Sequence, residues 1–168
     1  MRRALERLVD QGLVLVEAAG PSNLYRANRS HLLWPAIEQI VRAAEDVPQR
    51  LTERITDVVI DQLGPEVASR TTLALFGSVA RDQSTSESDL DVLAVFPDDA
   101  DEQSRQDAVD AIIQCVPEWT GNPCSVYAVD ASGFQEIVER DDPLLSSWKV
   151  DAKTFHGPDL WRTVAAPY

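Results

Sequence analysis

The sequence has no apolar run of the about eighteen or more residues that a membrane-spanning helix needs, so no span is predicted. Cysteine is scarce. Cys115 and Cys124 stand at a spacing that fits neither a zinc site nor a redox pair, and both are expected as reduced thiols of a cytoplasmic protein. His31 and His156 are equally isolated, with no metal-ligand pattern around either, and are expected to be structural. Lysine occurs only at Lys149 and Lys153, so arginine carries nearly all the positive charge. The opening MRRALERLVDQG is too charged for the apolar core of a secretory signal. A net charge of −13 excludes general adhesion to nucleic acid unless the basic residues gather in one place. They do so near the start. Arg2, Arg3, Arg7, Arg26 and Arg29 face only Glu6, Asp10 and Glu17 within residues 1–31, which leaves that stretch at +2 and the rest at −15.

Hydrophobic content of 44% and charged content of 26% are those of a globular chain, long enough for one full domain and a smaller appendage. The most informative stretch is residues 71–97, TTLALFGSVARDQSTSESDLDVLAVFP. A β-branched, apolar strand over 71–76 stops at Gly77, and Gly77-Ser78 turns the chain into a short helical segment over 79–81. A polar loop, 82–88, leads to a second strand over 89–96, ended by Pro97. Asp89 and Asp91 are two apart at the start of that strand, so their side chains share a face. Paired carboxylates beside a turn that opens a helix suit a divalent cation with a polyphosphate. Magnesium takes oxygen ligands from carboxylates and phosphates, and free helix N–H groups attract anionic oxygens. Taken singly, Gly77-Ser78 is an ordinary turn with a capping serine, and Asp89 is a strand-edge charge. The joint pattern is what carries meaning.

Gly77-Ser78, Arg81 and Ser88-Asp89-x-Asp91 together resemble the GS…R…SDxD signature of the DNA polymerase beta-like nucleotidyltransferase superfamily, in its small minimal form. The likeness is close over 71–95 and continues in element order to about residue 157. It implies an α/β (α+β) fold, a small mixed β-sheet flanked by helices. It implies Asp89 and Asp91 as catalytic residues that hold Mg2+ or Mn2+, with Gly77, Ser78, Arg81 and Ser88 binding ATP or another nucleoside triphosphate. The implied reaction passes a nucleoside monophosphate to a hydroxyl of a protein or a small molecule. Members of the family place a third acid on the third strand. Here that strand, 125–129, reads SVYAV, and by spacing Ser125 or Tyr127 takes the position. Asp130 is the candidate third acid if the strand runs one residue longer; otherwise it caps the following helix.

Residues 2–11 form an amphipathic helix, with Leu5, Leu8 and Val9 on one side and Gly12 as its stop. Short apolar runs at 13–18 and 23–27 flank Gly20-Pro21-Ser22 as a hairpin. Helix plus hairpin resembles the second half of a winged helix-turn-helix. The resemblance implies a recognition helix with Arg2, Arg3 and Arg7 toward DNA bases, and a wing with Arg26 and Arg29 toward phosphates. The alternative is a hairpin that packs on the catalytic domain or pairs two subunits as a homodimer. The expected division is a partial winged helix over 1–34, a helical linker over 35–65 and a nucleotidyltransferase domain over 66–168.

Within 30–64, Ile37, Ile40, Val41 and Ala44 follow helical spacing up to a break at Pro48, and Leu51, Ile55, Val58, Val59 and Leu63 line a second helix stopped by Gly64-Pro65. Farther on, the pattern predicts a helix over 103–115, a loop over 117–123, a helix capped by Ser132 and running to 140, a helix over 143–149 and an extended piece over 153–155. Two functions follow. One is the nucleotidyltransferase; the other is a DNA-binding transcriptional regulator with a degenerate, nucleotide-sensing or inactive nucleotidyltransferase domain.

Overall fold

A computed structural model describes residues 2–77, 89–140 and 143–161. The chain divides into two units, residues 1–48 and 49–168.

In the first unit, helix α1 (Arg2–Asp10) ends where its glycine predicts. The Leu13 N–H bonds to the Leu8 carbonyl and the Gly12 N–H to the Val9 carbonyl, each at 2.9 Å, a Schellman closure of the last turn. Strands β1 (Val14–Ala19) and β2 (Ser22–Ala27) pair antiparallel, with Ala19 opposite Ser22 and only Gly20 and Pro21 in the turn. Asn28 fastens the base of the hairpin. Its N–H reaches the Leu13 carbonyl at 2.9 Å, and its Nδ2 donates to the Gly12 carbonyl at 2.8 Å. Helix α2 (Trp34–Glu45) carries Pro35 in its first turn, where a missing N–H does no harm. His31 is structural here, accepting the Leu33 N–H through Nδ1 at 3.1 Å. None of the described residues up to Pro48 is buried.

The second unit holds the core. Helix α3 (Val47–Arg70) has Pro48 in its first turn, so that proline opens a helix rather than breaking one. Gly64 interrupts α3, with φ 73° and ψ 158°, but Pro65 starts a further helical piece, which runs beyond the expected stop. Strands β3 (Thr72–Phe76), β4 (Leu90–Phe96), β5 (Cys124–Asp130) and β6 (Lys153–His156) form one sheet in the order β5-β4-β3-β6. β4 is parallel to β5, whereas β3 is antiparallel to both β4 and β6, so the sheet is mixed. β4 reads as a nearly unbroken apolar run because it is covered on both faces.

One face takes Leu73, Leu90, Val92, Ala94 and Phe96 against α3 and against helix α4 (Glu102–Thr120). The other takes Ala74, Leu93 and Val95 against helices α5 (Ala131–Glu139) and α6 (Pro143–Asp151). This is a mixed α/β architecture, a small sheet between helical layers.

α4 outruns its predicted end at 115, continuing through Pro117 to Gly121, whose N–H bonds to the Pro117 carbonyl at 2.8 Å. An interior proline costs about 3 kcal/mol. Burying a large apolar side chain gains roughly 1.5–3 kcal/mol, and the extra turn packs both Val116 and Trp119 into the core. Asp101 caps α4, accepting the Ser104 N–H at 2.9 Å. His156 is structural as well, with Nε2 2.8 Å from the Ala68 carbonyl oxygen.

Candidate active site

Antiparallel pairing returns the end of β3 to the start of β4, so Phe76 lies opposite Asp91. Gly77 follows at once with φ 77°, a left-handed conformation that side chains resist. A Cβ at Gly77 would run into Asp91 Oδ2, so the carboxylate occupies the space that a side chain there would take. The glycine thus serves two ends: it makes the turn, and it admits the Asp91 carboxylate against the backbone. Asp91 alternates with Leu93 and Val95 and belongs to the sheet face covered by α5 and α6. It is half-buried. Asp89, expected as the first residue of the strand, instead immediately precedes β4 and is exposed. The Leu90 N–H bonds to the Pro123 carbonyl at 2.9 Å and fixes the strand start against the approach to β5.

On the far side of Asp91, the parallel register sets Ser125 as its lateral neighbour, and Tyr127 beside Leu93. The sequence left Ser125 and Tyr127 as equal occupants of the position on the third strand; the register puts Ser125 beside the carboxylate. Below this row lies an aromatic floor. Trp148, fully buried, has the rings of Phe76, Tyr127 and Phe134 around it at centroid distances of 6.1, 5.0 and 5.9 Å. Its Nε1 has no hydrogen-bond partner among the described residues. Nothing in the sequence pattern announced Trp148 as the centre of this floor, since its ring neighbours come from three different elements, β3, β5 and α5. Cys124 also registers the site: burial, and secondarily the charge of Asp91, push its thiol up to about 11.

Ser78, Arg81 and Ser88 lie outside the described residues. Asp130 is described, and the fold does not bring it to the pair. β5 does run one residue past the expected 129, but Asp130 pairs with Phe96 at the opposite end of the strands and alternates onto the other face from Asp91. Its Oδ1 accepts the Gly133 N–H at 2.8 Å as the cap of α5, and its Oδ2 lies 3.5 Å from Arg105 Nη1. Ser132, expected as that cap, is instead drawn to Asp98: its N–H and its hydroxyl each donate at 2.9 Å.

The acidic run 98–102 is engaged locally in the same way. Hydrogen bonds from Ser132 hold the Asp98 carboxyl below its usual range, Arg70 at 2.9 Å does so for Asp99, and Ser104 does so for Asp101. Among the described residues no group of three or more His, Cys, Asp or Glu side chains is placed to hold a metal. Asp89 and Asp91 therefore offer a two-carboxylate donor set of hard oxygens, which fits magnesium or manganese shared with phosphate. A cleft of about 300 Å3 opens elsewhere, lined by Phe96, Arg105, Ala128 and Asp130 among others, at the far end of β4 and β5 from Asp91. Arg105 and Asp130 pair with each other within it, and its place at that end of the strands sets it apart from the carboxylate site.

The arginines expected to meet DNA all belong to the first unit. Arg3 and Arg7, four apart and exposed, share one face of α1. Arg2 is in α1, and its side chain lies outside what is described. Arg26 is exposed on β2, and the Arg29 guanidinium stands 5.9 Å from the centre of the Trp34 ring. No helix among the described residues is long and apolar enough to cross a membrane.

The family described as "Putative nucleotidyltransferase DUF294" matches residues 34–121, just over half of the chain. No curated protein matches. Two solved structures are similar at low identity. The crystal structure of a toxin-antitoxin with AMP-PNP has 15% identity over 65% of this chain and 80% of that one, with a TM-score of 0.39. A mutant of the toxin-antitoxin MntA-HpeT has 14% identity over 63% of this chain and 74% of that one, with a TM-score of 0.34.

Proposed function

The chain belongs to the DUF294 nucleotidyltransferase family, and from that premise we propose that it transfers a nucleoside monophosphate from a nucleoside triphosphate to a hydroxyl of a protein or small-molecule acceptor. The observation that carries this reading is the Asp91 carboxylate set against the backbone of Gly77, with Asp89 exposed two residues before it. Asp89 and Asp91 would hold magnesium or manganese, which supplies charge neutralisation for the phosphates. The turn at Gly77 brings backbone close enough to meet phosphate oxygens, and Ser78, Arg81 and Ser88 are assigned to the nucleotide by their place in the motif. The acceptor oxygen attacks the α-phosphorus in line, a new P–O bond forms, the bond to the β-phosphate oxygen breaks, and pyrophosphate leaves. The acceptor proton passes to solvent. Rate comes from positioning and electrostatics, as in phosphoryl transfer generally. In this reading residues 66–168 are the transferase domain, 35–65 a helical linker and 1–34 a partial winged helix, in a cytoplasmic protein.

A second reading is favoured by one observation: Ser125, not an acid, neighbours Asp91, and Asp130 is committed to Gly133 and Arg105. A regulator that binds DNA through Arg2, Arg3, Arg7, Arg26 and Arg29 and senses nucleotide in a weakened pocket would look the same.

Both readings predict that magnesium with a nucleoside triphosphate raises the melting temperature, by the equivalent of about 2.7 kcal/mol at a hundredfold excess over Kd, and that Asp89→Ala with Asp91→Ala abolishes the rise. No rise with any triphosphate would remove the enzyme and the nucleotide-sensing regulator, and leave only a regulator with an inactive domain. Turnover of labelled triphosphate across candidate acceptors separates enzyme from sensor. Retention on duplex DNA that falls steeply with salt supports the regulator, and no retention at low salt removes it.

A further inference from the structure

We propose that the outer edge of β5 docks an extended segment of another protein as a further strand, with a lysine or arginine side chain of that segment in the cleft beside Ala128. This is independent of the carboxylate site, which lies toward the other end of the strands.

The two edges of the sheet are unlike. β6 has the features that keep a strand edge from pairing with other chains. It is four residues long, it carries Lys153, and its register with β3 shifts between Leu73 and Ala74. β5 has none of them. It runs for seven residues, pairs with β4 without a shift from Cys124 to Asp130, and contains neither lysine nor proline.

Backbone alternation decides which groups β5 has on offer. The Leu90 N–H bonds to the Pro123 carbonyl at 2.9 Å. In a parallel pair that bond begins a series in which Ser125, Tyr127 and Val129 turn N–H and C=O toward β4. Val126 and Ala128 turn theirs outward. Among the described residues no hydrogen bond reaches those outward groups. Ala128 is exposed, and no residue of β5 is buried. An added strand would find donors and acceptors already spaced for it.

The cleft narrows the chemistry of the partner. It offers about 300 Å3 where the edge passes Ala128, room for a long side chain. Phe96, Val109 and Ala128 supply an apolar wall, while Glu102 and Asp130 against Arg105 leave the lining one charge negative. Arg105 lies 3.5 Å from Asp130 and offsets that acid, which leaves Glu102 to meet a cation. Lysine and arginine have the matching form, an aliphatic stem with a charged tip. Charge at longer range agrees. Residues 49–168 carry the whole −13, which draws in a basic segment and repels a second copy of the same edge.

The test uses the full chain and a set of acetylated peptides of seven residues, the length of β5, alternating valine and threonine with lysine, alanine or glutamate at the centre. In the free chain, the Val126 and Ala128 amides should exchange with solvent about a hundredfold faster than those of Tyr127 and Val129, and the lysine peptide should slow them tenfold or more. That peptide should bind at least tenfold tighter than the glutamate one, and Glu102→Gln should remove most of its advantage over the alanine one. Ala128→Pro should abolish binding, because it deletes an outward N–H and spares the bonds to β4. If that variant fails to fold, methylating alternate amide nitrogens of the lysine peptide tests the same bonds from the other side. Slow exchange at Val126 and Ala128 in the free chain overturns the proposal. So does no binding of the lysine peptide, equal binding of the glutamate one, or binding that survives Ala128→Pro or methylation. A dimer in sedimentation that Ala128→Pro splits overturns it as well, and gives the edge to a second copy of the chain.

Discussion

The two units obey the same local rules and differ in what those rules achieve. Residues 1–48 have a helix closed by glycine, a two-residue hairpin turn and a proline in the first turn of α2, yet none of their described residues is buried. Leu32 is 95% exposed and Ile40 68%. The second unit uses caps and turns of the same kind, and among the described residues every buried one belongs to it, from Leu51 to Leu160. Charge divides along the same line. Six arginines and six acids leave residues 1–48 neutral, so the whole −13 falls on residues 49–168. Local signals shape an element; only a sheet with helices on both faces removes apolar surface from water at about 25 cal/mol per Å2.

The largest expected effect tests that contrast directly. Trp148→Ala should cost about 3–5 kcal/mol in denaturant unfolding, because it empties the floor shared by three other rings. Ile40→Ala, at an exposed site, should stay within about 0.5 kcal/mol. Similar losses at the two positions would show that the first unit is held together as firmly as the second.

A smaller contrast compares two left-handed glycines. Gly20→Ala meets nothing within 4 Å and should lose only the roughly 1–2 kcal/mol of the strained backbone. Gly77→Ala bears the same strain and must also displace Asp91 Oδ2, so it should lose the cation-induced rise in melting temperature as well. A Gly77→Ala protein that keeps that rise would detach the turn from the site.

The smallest effect concerns Cys124. Its thiol should resist iodoacetamide until the pH approaches about 11, and Asp91→Asn should bring the midpoint down only part of the way toward 9.0, since burial is the larger cause. Because the folded value lies above the unfolded one, the stability tied to this thiol is present below pH 9 and is lost as the pH rises toward about 11. A midpoint unmoved by Asp91→Asn would mean that the carboxylate is not near this thiol.

What the sequence made legible is whatever neighbouring residues decide. Gly12 stopped α1, Gly20-Pro21 turned the hairpin, and Pro97 followed the end of β4. The mixed sheet with flanking helices was legible too, because β4 reads as an apolar run bounded by polar loops. Pairing and competition were not. Pro117 stays helical because Val116 and Trp119 pack on the core, which no local pattern records. Ser132 and Asp130 were both eligible caps, and the choice fell to Asp130 because Asp98, 34 residues away in sequence, engages Ser132. The neighbour of Asp91 is fixed by the register between β4 and β5, strands separated by the whole of α4. Trp148 took its place beneath the strands through tertiary packing alone.

β4 is hydrogen-bonded along both edges and covered on both faces, and Asp91 stands one residue from its start. A carboxylate mounted there is fastened to a strand braced on both edges and both faces. If Asp91 binds an ion as proposed, discrimination at this spot turns on how well the guest matches a fixed bracket rather than on how far the host can bend.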